Sequence, residues 1–177
     1  MSLSLLLLFS PSLANAEIKV TPPLNWQPRA DNNATSMVWD QNSTKSLFSI
    51  IKGRDNPLLP IAFLGPAMAQ NFADRGVLES TDQITFGHSN FGYRFFLDLS
   101  SPSKLNSSGM ASEGTYLSAI PKNGAVPFKV MLILSHKQGD LYAIYLQSPK
   151  LNFDSILNQI KPTLDSIELN NSTALSN

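Results

Sequence analysis

The stretch FKVMLILSHKQGDLYAIYLQ, residues 128–147, decides the fold. Val130 to Leu134 is apolar at every position, so a strand here must be covered on both faces and lie inside a sheet. Lys137-Gln138-Gly139-Asp140 supplies a short glycine-containing hairpin loop, and Leu141 to Gln147 returns as the partner strand. A sheet holding such a strand needs a layer on each side of it.

Upstream, the same period of two predicts strands at Glu79–Phe86, Phe91–Leu99 and Glu113–Ile120. In the second of these, Phe91, Tyr93, Phe95, Leu97 and Leu99 alternate with Gly92, Arg94, Phe96 and Asp98, the pattern of a half-buried strand. The Ser- and Asn-rich segment Pro102 to Met110 reads as an exposed loop. Before these strands the period changes. Pro57 and Pro60 mark a loop, Pro66 suits an early helical position, and Ala67 to Arg75 is amphipathic, with Gly76 as its stop. Earlier still, Lys45 to Lys52 pairs as a hairpin with Met37–Trp39 through Asp40 to Thr44. The preceding Thr21-Pro22-Pro23 is too stiffened by proline to be helical.

Downstream, Phe153, Ile156, Leu157, Ile160, Leu164 and Ile167 form a helical stripe, with Asn152 as its N-cap. Pro162 is expected to kink it or to start a second short turn. The order is hairpin, helix, antiparallel strands, terminal helix. This predicts an α+β fold, a central antiparallel sheet of about six strands with helices on both faces, as an α/β/α sandwich. One domain is expected over residues 17–169, with a disordered tail over 170–177 and neither a repeat nor a second domain.

Residues 1–16 read as a signal peptide. The run from Leu3 to Phe9 is nearly all hydrocarbon, too short to span a bilayer, and Ala14-Asn15-Ala16 is a small-residue cleavage site. The expected location is secreted or extracytoplasmic, with no membrane span after cleavage. The chain has no cysteine, which excludes both a disulfide framework and a lipid-bearing cysteine. Thirteen basic and 13 acidic residues are interspersed in 177, so no basic stripe points to nucleic acid. Charged residues make up 15%, well below the usual quarter, and neutral polar side chains must carry solubility. Five Asn-x-Ser/Thr sequons begin at Asn33, Asn42, Asn106, Asn170 and Asn171, all in segments read as loop or tail.

Chemistry-bearing residues are few. His88, in a turn, and His136, at the end of the buried strand, are the two histidines and the candidate metal ligands for zinc, which would need a carboxylate beside them. Calcium could use Asp82, Asp98 and Asp140. No cysteine nucleophile or G-x-S-x-G elbow occurs, and Ser135 and His136 point to opposite faces of one strand. No catalytic residue and no cofactor is therefore expected, and the protein reads as not an enzyme. Trp26 and Tyr142 are the candidate partner contacts, provided that they lie exposed beside a groove.

Several of these features, taken in order from Val20 to Leu169, resemble a known family. They are the proline segment ending in Trp26, the strand Leu47–Ile51 leading to the helix near Pro66, and Gly92-Tyr93-Arg94-Phe95. The hairpin with Gly139-Asp140-Leu141-Tyr142 and the closing Leu164-Asp165-Ser166-Ile167 complete the set, with Ile167 where the family carries an aromatic. The set resembles the PsbP-like domain, the fold of the extrinsic PsbP subunit of photosystem II and of Ran-binding import factors. That resemblance implies a non-catalytic extrinsic domain that binds another protein on the outer face of a membrane. The expected function is thus an exported binding or assembly module on a membrane-associated protein complex. A small-ligand or metal-binding extracytoplasmic protein is the alternative.

Overall fold

A computed structural model describes residues 18–30, 32, 35–54, 60–99, 127–137 and 140–169. In chain order the elements are β1 (Ile18–Lys19), β2 (Gln27–Pro28), β3 (Ser36–Gln41), β4 (Ser46–Arg54), α1 (Ile61–Asp74), β5 (Leu78–Phe86) and β6 (Asn90–Leu99). They continue with β7 (Phe128–Lys137), β8 (Asp140–Pro149), α2 (Phe153–Asp165) and β9 (Glu168–Leu169). Among the described residues, seven strands form one antiparallel sheet in the order β2-β3-β4-β8-β7-β6-β5, and β1 pairs with β9 apart from it. The class is the one expected, α+β with a helix on each face, and the sheet has seven strands where about six were expected.

The hairpin that decides the fold is β7–β8, with Met131 opposite Leu146, Leu132 opposite Tyr145 and Ile133 opposite Ile144. Its alternate residues feed two cores. Met131, Ile133, Tyr142, Ile144 and Leu146 face α2 together with Trp39, Phe48 and Ile50. Val130, Leu132, Leu134, Ala143 and Tyr145 face the other way, toward Phe72 of α1. α2 seals the first core with Phe153, Ile156, Ile160 and Leu164, all buried. Burying each of these side chains fully contributes about 1.5–3 kcal/mol.

Both helices differ in detail from expectation. α1 begins at Ile61, five residues before Pro66, and α2 runs unbroken through Pro162. The reason is common to both. Each proline removes one hydrogen bond, to the carbonyl of Ala62 or Asn158, and both of those residues are exposed, so water replaces the lost donor. Asn152 precedes α2 but makes no side-chain cap bond; its carbonyl accepts the Ile156 N–H at 2.9 Å. α1 ends as expected. Gly76 adopts φ +67°, the Gly76 N–H donates to Ala73 O and the Val77 N–H to Phe72 O, with Val77 and Phe72 buried together. That is a Schellman closure with its apolar contact.

The domain is tied at one corner. Beyond the β1–β9 pairing, the Thr21 N–H donates to Ser166 Oγ at 2.9 Å. Ile167 O accepts the His88 N–H and Asn90 Nδ2 at 3.3 and 3.0 Å, joining the β5–β6 turn to the end of α2. The signal peptide, the strand expected at Glu113–Ile120, the tail and the sequons at Asn33, Asn106, Asn170 and Asn171 lie outside the described residues. Asn42 is exposed in the β3–β4 turn.

Candidate partner-binding site

Along β6, the residues facing α1 are Phe91, Tyr93, Phe95 and Leu97, two apart as strand geometry requires. Phe95 is fully buried, edge-on to Phe72 with ring centroids 5.6 Å apart. Tyr93 is half-buried beneath Gly65, where an added β-carbon would overlap the ring. Gly65, which rests on Tyr93, lies near the N-terminal end of α1 and Phe72, which meets Phe95, near its C-terminal end, so the helix runs in the same direction as this row of rings and its N-terminal end leaves Phe91 uncovered. Phe91 therefore emerges, 44% exposed, with its ring edge-on to Tyr93 at 6.0 Å. Phe63, in the first turn of α1 and so at the same end, is 69% exposed.

Between α1 and β5–β6 lies a shallow cleft of about 370 Å³. Gly65, Pro66, Ala69 and Ala73 form its helix wall, with Leu78, Thr81 and Tyr93 opposite. Small side chains on the helix leave the space. Polar groups at its rim are already engaged, Tyr93 Oη by Gln83 Nε2 at 2.7 Å and Thr81 Oγ1 by Arg94 O at 3.0 Å. The surface thus presents aromatic and apolar area with a satisfied polar rim. Such surfaces suit protein contact, where aromatic anchors carry most of the energy.

The residues expected to form sites lie elsewhere. Trp26 is 5% exposed and Tyr142 is 0% exposed, both in the α2-side core, so neither offers a partner contact. Asn25 at φ +66° turns the chain so that Trp26 packs inward, and Tyr142 sits on the middle strand of the sheet. His88 is exposed in the β5–β6 turn, its Nε2 3.4 Å from Glu168 Oε1 on β9. His136 ends β7 on the face that carries Leu132 and Leu134. Among the described residues no group of three metal-capable side chains forms. The calcium carboxylates are separated, each beside a cation: Asp82 with Arg94, Asp98 with Lys150 at 3.6 Å, and Asp140 with Lys52 at 2.8 Å. Ser135 Oγ donates to Phe91 O at 2.6 Å, away from any nucleophilic arrangement.

Two ionisable groups feel strong local fields. The Glu79 carboxylate, 2.8 Å from Lys129 Nζ, holds that ammonium above its ordinary range despite opposing desolvation. Burial alone pushes the Tyr145 phenol upward. Both act structurally, since Lys129 bridges β7 to β5 and Tyr145 Oη donates to Gln147 Oε1 at 2.8 Å.

No family model matches the chain, and no curated protein matches it. Solved structures do. A Bacteroides thetaiotaomicron protein is 9% identical at a TM-score of 0.50, over 88% of this chain; this chain spans 46% of its length. The yeast Ran-binding protein Mog1p is 6% identical at 0.48, over 89% of this chain and 92% of its own. Cyanobacterial PsbP from Synechocystis is 11% identical at 0.47, over 89% and 95%. At such identities the likeness concerns the fold alone, and the neighbours include both kinds of protein whose fold the sequence resembles.

Proposed function

We propose that this chain is an exported, non-enzymatic binding module that associates with a membrane protein complex on its extracytoplasmic face. The emergence of Phe91 beside Tyr93, at the end of α1 that also exposes Phe63, carries the reading. Two large exposed aromatics next to a small-residue cleft favour burial against another protein over solvation. The apolar run before Ala14-Asn15-Ala16 supports export, and the low charge content suits work outside the cytoplasm.

The test is capture by the tagged full chain, expressed in its own cells and cross-linked before membrane solubilisation. A defined membrane complex should co-purify, and Phe63→Ala with Phe91→Ala should reduce its recovery by roughly tenfold or more, the scale of two anchor side chains. Equal recovery with the double variant, its fold confirmed by circular dichroism, would overturn the assigned surface. Cleavage after Ala16, read by mass spectrometry of the mature N-terminus, tests export separately.

A further inference from the structure

We propose that β5, the outer strand of the sheet, is a docking edge that takes up an extended segment of a partner protein as an added strand. Alternate apolar side chains of that segment enter the cleft beside α1, and a basic side chain lies next to Asp82. The inference rests on reading the α1–β6 surface as a protein contact, and it names the form in which the partner arrives.

The two edges of the sheet differ. At one, β2 is two residues long and ends in Pro28, which has no N–H to offer. At the other, β5 is nine residues long, LESTDQITF, with no proline, lysine or glycine. Among the described residues it pairs with β6 alone. One irregularity lies at its start, between Leu78 and Ser80, and from Ser80 to Phe86 the register is unbroken. Glu79 to Gln83 are all exposed. Alternate residues of an edge strand aim their N–H and C=O groups away from the sheet, and a long, unblunted edge is a template for another strand.

The two faces of β5 decide what fits. Toward α1, Thr81 lines the cleft with Leu78 and Tyr93, opposite Pro66, Ala69 and Ala73. A strand added beside β5 points every second side chain into that cleft, where valine or leucine meets apolar walls. Thr85, on the same face, pairs with Phe91, so the added strand also runs onto the exposed ring. Toward α2, charge decides. Arg94 Nε donates to Asp82 Oδ1 at 2.9 Å, and Lys129 Nζ lies 2.8 Å from Glu79 Oε2. In both pairs the acid is the more exposed partner and stands nearer the edge. A lysine or arginine one strand further out continues the alternation of charge that runs from Arg94 to Asp82. A second copy fits worse, because antiparallel pairing of β5 with itself gathers the Glu79 and Asp82 carboxylates of both copies on one face.

The experiment titrates the full chain with the peptide acetyl-Thr-Val-Lys-Val-Thr-Val-Thr-amide, followed by two-dimensional amide NMR. Controls are the same peptide with Glu for Lys, and one N-methylated on alternate backbone nitrogens. The β5 amides should shift saturably, with half-saturation at about 1 mM or below, and the N-methylated peptide should leave them unmoved. Ala73→Leu, at an exposed helical position that lines the cleft, should weaken binding roughly fivefold or more. The Lys peptide should bind roughly threefold to fivefold tighter than the Glu peptide, the scale of an exposed ion pair, and Asp82→Lys should reverse that order. Shifts that N-methylation leaves unchanged, or an order that Asp82→Lys does not reverse, would overturn the proposal. So would slow hydrogen exchange along the β5 edge before peptide is added. Protection independent of protein concentration would place another segment of this chain there, and protection that grows with concentration a second copy. Should Ala73→Leu fail to fold, the two peptides against Asp82→Lys decide the matter. A β5 edge blind to peptide, with complex recovery still lost in Phe63→Ala with Phe91→Ala, removes the docking edge and leaves the aromatic surface standing. Recovery indifferent to those two substitutions removes the reading beneath it.

Discussion

Gly65 of α1 and Tyr93 of β6 meet with no room for a side chain between them: a β-carbon at position 65 would overlap the Tyr93 ring. The helix rests on that ring, and its end leaves Phe91 uncovered. Position 65 therefore links helix packing to the shape of the candidate site.

Replacing Gly65 with Ala forces the ring or the helix to move and should destabilise the fold by about 1–3 kcal/mol, the range for overpacking. In a Tyr93→Ala background the clash is gone. There the same change should be neutral or stabilising by up to about 1 kcal/mol, since alanine is the better helix former. Urea unfolding of the four proteins in this cycle checks the sign reversal; additive effects would refute the contact.

Gly76 ends α1 at φ +67° with open space around its Cα. Backbone conformation, not crowding, then sets the cost of substitution. Gly76→Ala should cost about 1–2 kcal/mol and Gly76→Asn clearly less, because asparagine tolerates the left-handed region. Thermal unfolding of both variants tests this order.

The β5–β6 turn and the end of α2 share Ile167 O. Asn90, fully buried, donates to that oxygen and accepts from Lys137 Nζ at 3.3 Å. Asn90→Ala should cost about 1–3 kcal/mol through the buried groups it leaves unpaired. It should also speed hydrogen exchange at the His88 amide, whose acceptor is the same oxygen. Unchanged exchange there would show that the turn is held by something else.

Stability should fall on the alkaline side. Tyr145 and Lys129 both have folded pKa values raised above their unfolded ones, near 10.0 and 10.5. Above those values the unfolded chain loses protons that the folded protein retains, so each contribution is complete below the unfolded pKa and is lost as pH rises through the folded one. Tyr145→Phe removes the larger effect and should flatten the decline above pH ~10, while costing about 1 kcal/mol at neutral pH from the lost bond to Gln147. Urea midpoints measured from neutral to strongly alkaline pH decide it; equal slopes for both proteins would contradict the buried phenol.

The layers were legible because periodicity is a local property. Five apolar residues in succession at Val130–Leu134 admit one arrangement, a strand with both faces covered, and the stripe from Phe153 to Ile167 needs a core beneath it. Turn chemistry at Gly76 and the Asp40–Thr44 hairpin was legible for the same reason. Helix limits were less so, since Pro66 and Pro162 are tolerated where the orphaned carbonyl meets water, and solvent contact is decided by tertiary packing.

The candidate sites were not legible at all. Trp26 and Tyr142 carry the same chemistry as Phe91 and Tyr93, and sequence by itself determined only that all four are aromatic residues available to a core or a surface. Which were buried depended on where α1 begins over β6 and on where Asn25 turns the chain. From the sequence alone came the layers, the hairpins and the cysteine-free, charge-poor composition. Tertiary structure decided which side chains face water, because exposure depends on what other segments cover.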